Sequence, residues 1–299
     1  MSSIQLYNRQ TNSIVEETVL GDRFVRLAYA TPMRHVISWP LFAHAFASRV
    51  MGWFADRKSS VKRIPKTIED LHIDMDEFEV PEDGFQSFND FFTRRLKPGA
   101  RSFPIERNLL GSPADCRLFA WQDLQEDLCI PVKGDRFTVS QLLGPEHSQV
   151  ADLFKGGSLC VCRLCPADYH RFHFPDDGRF VTSSWPVKGK YNSVNPLALN
   201  QNLNVFATNY RKVSMLDLAN FGQMLFIEVG AFAVASITET NVGPVFLRGE
   251  EKGFFSFGGS TIILVFQKKH VYFDGDILEH TAQNIETLVK TGEPIAKSP

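Results

Sequence analysis

The string Phe257-Gly258-Gly259-Ser260-Thr261-Ile262-Ile263 sets two glycines ahead of a hydroxyl pair that runs straight into a β-branched strand. Glycine tolerates positive φ and close approach, so the Gly259–Ser260 peptide can bend until the serine hydroxyl faces the Gly259 carbonyl carbon. That geometry permits an N→O acyl shift, in which Ser260 attacks its own upstream peptide bond. Taken alone, the string is also a plain turn. A second string, Asp168-Tyr169-His170-Arg171-Phe172-His173-Phe174-Pro175, carries two histidines, the side chain best suited to moving protons near neutral pH. On a helix they share a face; on an irregular segment ending at Pro175 they serve two roles around one pocket. A metal pair and buried structural imidazoles are the plainer alternatives. Ser112-Pro113-Ala114-Asp115 adds a carboxylate able to orient a histidine through Nδ1–H. Asp, His, Ser is then the chain order of a general-base relay. No Gly-x-Ser-x-Gly elbow surrounds Ser260, which argues against an ordinary α/β-hydrolase.

These residues need a scaffold, and the texture of the chain changes along its length. Residues 25–91 read as helical, with Thr67 as a helix start ahead of Glu69 and Asp70 and a further helix opening at Ser87. The apolar, aromatic segment 36–54 has Arg34, Arg57 and Lys58 at its flanks. It suits an interfacial element on an anionic bilayer and equally a helix packed on its own core. Beyond residue 98 come short alternating or β-branched runs punctuated by turns at Asp176-Asp177-Gly178, Lys188-Gly189 and Gly258-Gly259, with helices expected only at 139–143 and in the acidic stretch near the C-terminus. The expected class is α+β: a helical, membrane-associating region over 1–98, then a β-rich domain of barrel- or sandwich-like sheets over 99–299.

Bulk composition excludes several classes. Hydrophobic residues at 43% and charged residues at 22% are an ordinary globular balance, not that of a disordered chain. A net charge of −2 with no dense basic run gives no pull toward nucleic acid. The 26 phenylalanines against 6 tyrosines imply a very aromatic core or exposed rings that meet something greasy. Cys160, Cys162 and Cys165 mimic a metal run, but they sit in an apolar alternating stretch where cysteine behaves as a small hydrophobe, so no metal is expected. No disulfide framework is implied, and residues 1–17 lack the features of a signal peptide. No apolar run approaches the roughly 18–20 residues that cross a bilayer.

Several strings together resemble the phosphatidylserine decarboxylase proenzyme family. They are Phe88-Asn-Asp-Phe-Phe-Thr-Arg-Arg-Leu-Lys-Pro-Gly-Ala-Arg101, Ser112-Pro-Ala-Asp115, Asp168-Tyr-His-Arg-Phe-His-Phe-Pro175, Ser193-Val-Asn-Pro-Leu197, Leu203-Asn-Val-Phe-Ala-Thr-Asn-Tyr-Arg211, Glu228-Val-Gly-Ala-Phe-Ala-Val-Ala-Ser-Ile237, Lys252-Gly253 and Gly258-Gly-Ser-Thr261. They stand in the family's order, and that collinearity is far more specific than any one of them. Three positions depart from the usual pattern: Cys116 in place of glycine, Phe174 where methionine is common, and Gly258 where leucine is commoner.

The resemblance implies a self-cleaving proenzyme. In that scheme Asp115 orients His173, and His173 takes the Ser260 proton. The ester so formed opens by β-elimination between Gly259 and Ser260, leaving a pyruvoyl group at 260. The subunits are then β, residues 1–259, and α, residues 260–299. Decarboxylating an α-amino acid needs an electron sink, which the pyruvoyl group provides. His170 is the candidate that protonates the carbon afterwards, with His173 the alternative, and Asn195 is a candidate for the head group. The implied substrate is phosphatidylserine at an anionic membrane, on the cytoplasmic face and simplest as a bacterial inner membrane, with a homodimer expected. The rivals are a pyruvoyl decarboxylase of a soluble aromatic amino acid, an uncleaved lipid-binding scaffold, and a serine hydrolase.

Overall fold

The computed structural model describes residues 4–17, 45–124, 130–132, 135–192, 204–231, 236–258 and 260–299. Gly259, Asn195 and residues 36–44 of the expected membrane element lie outside the described residues.

Strand alternation explains the centre of the molecule. Along Ser158–Leu164 and Ser260–Phe266 every residue is buried, because both faces of these strands are covered. Cys160, Cys162, Ile262, Leu264 and Phe266 point into one core, while Leu159, Val161, Ile263 and Val265 point into the other. Cysteine therefore serves here as a small apolar residue. The two strands belong to a ten-stranded sheet. Its order is Val245–Phe246, Gly178–Val187, Arg211–Leu218, Gly222–Gly230, Ser260–Phe266, Ser158–Leu164, Cys116–Trp121, Glu286–Val289, Gln5–Asn8 and Ser13–Glu16. Pairing is antiparallel except between Gln5–Asn8 and Glu286–Val289, which run parallel. The sheet is open, with edges at Val245–Phe246 and Ser13–Glu16, so the α+β class holds without closure into a barrel.

A smaller sheet of Ile237–Glu239, Glu251–Phe255 and Arg171–His173 carries the histidine string. Against it lies an aromatic cluster of Phe78, Phe88, Phe91, Phe92 and Tyr169, contributed largely by the helical N-terminal part. Helices span Ala45–Ala55, Ile64–Leu71 and Phe88–Phe92, with 3₁₀ turns at Lys58–Arg63 and Met75–Glu77. Ser87 caps the last helix by accepting from the Asp90 amide, as its sequence predicts.

Two expectations need correction. The helix containing Thr67 begins at Ile64, with Pro65 in its first turn, and Thr67 instead donates to the Arg63 carbonyl from inside it. The first residues are not helical: Gln5–Asn8 and Ser13–Glu16 form a hairpin on the large sheet, across the expected boundary at residue 98. Alternation over four residues is too short to outweigh a neighbouring helical reading.

Candidate active site

Ser260 opens the central strand, paired with Leu164 on one side and Gly230 on the other, and is wholly buried. Gly258, two residues upstream, adopts φ 142°, a conformation that a side chain would strain. Only glycine takes that conformation readily, which accounts for its presence at 258.

His170 sits opposite. Its Nε2 lies 2.9 Å from the Cys165 carbonyl oxygen. A carbonyl only accepts, so Nε2 carries the proton and Nδ1 presents a lone pair. That lone pair faces the Ser260 hydroxyl, with Oγ 3.4 Å from Nδ1, the outer limit of a hydrogen bond. The imidazole is fully buried and stacks on Phe92 with ring centroids 3.8 Å apart. Burial, reinforced by the nearby Arg94 cation, pushes its pKa down to about 3, so the ring is neutral at physiological pH.

His173 has the opposite tautomer. Nδ1–H donates to the Gly249 carbonyl at 2.9 Å, and Nε2 accepts from the Tyr169 hydroxyl at 3.1 Å. Burial lowers its pKa as well. The ring lines a cavity of about 280 Å³ together with Arg95, Lys97, Arg101, Tyr169 and Glu251.

Asp115 is held beside that cavity by other partners. Its carboxylate accepts from Arg101 at 2.7 and 3.1 Å, from the Thr291 amide at 2.7 Å and from the Thr291 hydroxyl at 2.8 Å. Burial alone would raise its pKa, but the Arg101 bonds and the Lys290 charge hold it at about 2. The link to the histidine string is through the backbone, where the His173 amide donates to the Pro113 carbonyl at 2.9 Å. The structure therefore joins Ser260 to His170, ties the Asp115 loop to His173 by one backbone hydrogen bond, and makes no described hydrogen bond from Asp115 or His173 to Ser260 or His170.

The phosphatidylserine decarboxylase family model matches residues 88–297. The chain belongs to that family. A Ruminiclostridium cellulolyticum phosphatidylserine decarboxylase proenzyme is 42% identical over 98% of this chain and 97% of its own length. Proenzymes of the same name from Clostridium botulinum and Clostridium perfringens are each 39% identical, covering 98% of this chain and 98% and 99% of their own lengths.

Two departures from the family's usual strings turn away from the site. Cys116 is buried in the core, 3.9 Å from the Ser112 hydroxyl. Phe174 stacks on Phe246 with centroids 3.8 Å apart and planes at 6°. Neither lines the cavity at His173.

Sequence alone does not single out Arg101, Tyr169 or Phe92. All three lie inside strings that carry the family resemblance. What singles them out, contact with Asp115, with His173 or with the His170 region, is a matter of folding rather than spacing.

Proposed function

We propose that this chain decarboxylates phosphatidylserine to phosphatidylethanolamine after cutting itself between Gly259 and Ser260. The observation that carries the reading is the Ser260 hydroxyl aimed at the lone pair of a neutral histidine, at the entry of a buried strand. Deprotonated by His170 Nδ1, Ser260 Oγ attacks the Gly259 carbonyl carbon. The Ser260 nitrogen leaves with a proton, and an ester on Oγ results. Loss of the Ser260 Cα proton then breaks the Cβ–Oγ bond and frees residues 1–259 with a C-terminal carboxylate. The dehydroalanine left at 260 takes up water and releases ammonia, giving pyruvoyl. This group supplies the electron sink that CO₂ loss from an α-amino acid requires. Position 260 suits it, since the strand fixes the backbone while Nδ1 of His170 stands ready to exchange a proton there.

A second arrangement keeps the relay of Asp115 and His173 for the cleavage step. It is favoured by the backbone bond that ties the Asp115 loop to His173. It requires Tyr169 to release His173 Nε2, which must then reach Ser260.

Denaturing mass spectrometry of the purified protein, followed by assay on phosphatidylserine, tryptophan and serine, tests the proposal. Two fragments, the smaller starting with pyruvoyl, and CO₂ from the lipid alone are expected. A single intact mass defeats the self-cleavage reading, and turnover of free tryptophan moves the substrate.

The helix Ala45–Ala55 ends in half-exposed Trp53 and Phe54, with the Arg57 guanidinium 3.5 Å over the Trp53 ring. Beside them a cavity of about 150 Å³ is lined by Met51, Phe54, Arg63, Phe88 and Phe257. Phe257 lies edge-on to Phe92, the ring stacked on His170. Apolar rings beside the cations Arg57 and Arg63 support membrane docking on this face; undiminished binding of Trp53→Ala/Phe54→Ala to phosphatidylserine vesicles would defeat it. The free thiols of Cys116, Cys160, Cys162 and Cys165 support a reducing compartment, hence the cytoplasmic face of a bacterial inner membrane. Cell fractionation checks this, and recovery in the periplasm sinks it. Exposed Val181, Val242, Val245 and Leu247 at one edge of the large sheet support a homodimer. A Val245→Asp chain that stays as dimeric as the parent by mass photometry removes that support.

A further inference from the structure

The tautomer of His170 depends on the direction in which the Cys165 carbonyl points, and that direction is set by a residue the reaction scheme does not use. Asp168 grips Cys165 by both backbone groups. Its carboxylate accepts from the Cys165 amide at 2.7 Å, and its own amide donates to the Cys165 carbonyl at 2.8 Å. The same carbonyl accepts from His170 Nε2. Three residues of turn are thereby closed into a ring of bonds with the carbonyl lone pairs aimed at the imidazole.

Asp168 is in turn fixed from outside. It is buried and paired with Arg117, itself buried on the strand Cys116–Trp121. Arg117 Nε also stands 2.9 Å from a Glu17 oxygen, an ion pair without hydrogen-bond alignment. On the far side Arg94 donates to the Ala167 carbonyl at 2.8 Å and the Asp168 carbonyl at 3.1 Å. A turn held at both ends by buried cations has little freedom to rotate a carbonyl. If the Cys165 carbonyl turned away, Nε2–H would lose its acceptor, and the proton would be free to move to Nδ1, where it blocks the lone pair facing Ser260.

We propose that Asp168, anchored by Arg117, is a positioning residue for the chemistry at residue 260, acting by holding His170 in its Nε2–H form with Nδ1 open toward that residue. This inference rests on residue 260 as the reacting position.

The test uses two readouts. In the full chain carrying Ser260→Ala, ¹⁵N-histidine NMR reports which ring nitrogen of His170 bears the proton. The Nε2–H form is expected, and adding Asp168→Ala should give a mixture of tautomers. In chains with Ser260 intact, Asp168→Ala should slow self-cleavage, or lower kcat of the matured fraction with KM unchanged, by about 10- to 100-fold, the range seen when hydrogen-bond partners of metal-bound histidines are removed. Asp168→Asn keeps an acceptor for the Cys165 amide but loses the charge pair, so it should fall between parent and alanine; it also carries the test if the alanine chain does not fold. An unchanged tautomer in the Asp168 variants, or parental cleavage and kcat in both, overturns the proposal. A parent chain that never cleaves defeats the self-cleavage reading instead, and the tautomer measurement still decides the role of Asp168.

Discussion

The surroundings of Ser260 and of His173 differ as a sealed chamber differs from an open vestibule, although the two histidines involved are three residues apart. Around Ser260 both the nucleophile and His170 are fully buried, and an aromatic ring lies flat against the imidazole. Around His173 the side chains border a cavity of about 280 Å³ with charged groups on its rim. The tautomers are opposite as well, Nε2–H in the chamber and Nδ1–H in the vestibule. The contrast separates two needs of one chain. Attack by a serine on its own backbone needs no entering molecule and gains from exclusion of water, which would compete for the ester. Hydration of residue 260 and action on a lipid head group there come later and need a way in, which the sealed chamber of the uncleaved chain does not offer.

The contrast breaks most sharply at the histidines themselves. On the geometry as it stands, His170→Gln should slow cleavage by about 10²- to 10⁴-fold, the usual contribution of a general base. His173→Gln should leave cleavage within about tenfold of the parent, because the loss is one hydrogen bond to Tyr169 and one to Gly249. Pulse-labelled chains sampled over time on a denaturing gel give both rates. The reverse pattern would move the base to His173 and require the vestibule to rearrange until Nε2 leaves Tyr169 for Ser260.

How much of this was legible beforehand differs between the two regions. Motif strings single out Ser260, His170, His173 and Asp115, since reactive side chains announce themselves by type. Their pairing was not legible. Asp115 faces Thr291 because the strand Pro294–Lys297 packs on Leu109–Gly111 and brings the preceding loop to it, a contact between residues 176 positions apart. The β-rich half was readable from β-branched runs and turn glycines. The N-terminal hairpin was not, because its parallel pairing with Glu286–Val289 leaves no local mark on four residues.

Acid should sharpen the contrast. In the chamber, His170 has a folded pKa of about 3 against about 6.5 for an exposed imidazole. The unfolded chain therefore binds a proton below about pH 6.5 that the folded chain refuses until about pH 3, so stability falls as pH drops through that window. Its slope is at most about 1.4 kcal/mol per pH unit. Asp115, lowered to about 2, adds stability above its unfolded pKa that is lost only as pH falls from about 4 toward 2. Denaturant midpoints of the Ser260→Ala chain should accordingly decline from pH 6.5 downward, and His170→Gln should flatten the part between pH 6.5 and 4. His173, lowered in the same direction, retains a share of the slope. A decline unaffected by His170→Gln would mean that the chamber admits water and a proton.

The smallest effect is expected at Phe174, one residue past His173 and on the other side of the chain. His173 turns to the vestibule, so Phe174 turns into the core, where it is fully buried, stacked on Phe246 and edge-on to Phe180. Replacing it with the methionine common in the family removes a stacked pair worth about 0.5–1.5 kcal/mol. The sulfur recovers part of that against the remaining rings, through contacts of about 0.3–1.5 kcal/mol. Phe174→Met should therefore lower stability by about 1 kcal/mol or less and leave cleavage and decarboxylation at parental rates. Thermal melts and turnover on phosphatidylserine check the two halves separately. A change in substrate preference at unchanged stability would place Phe174 on the vestibule wall, and the boundary between sealed and open regions would then run through residue 174 rather than behind it.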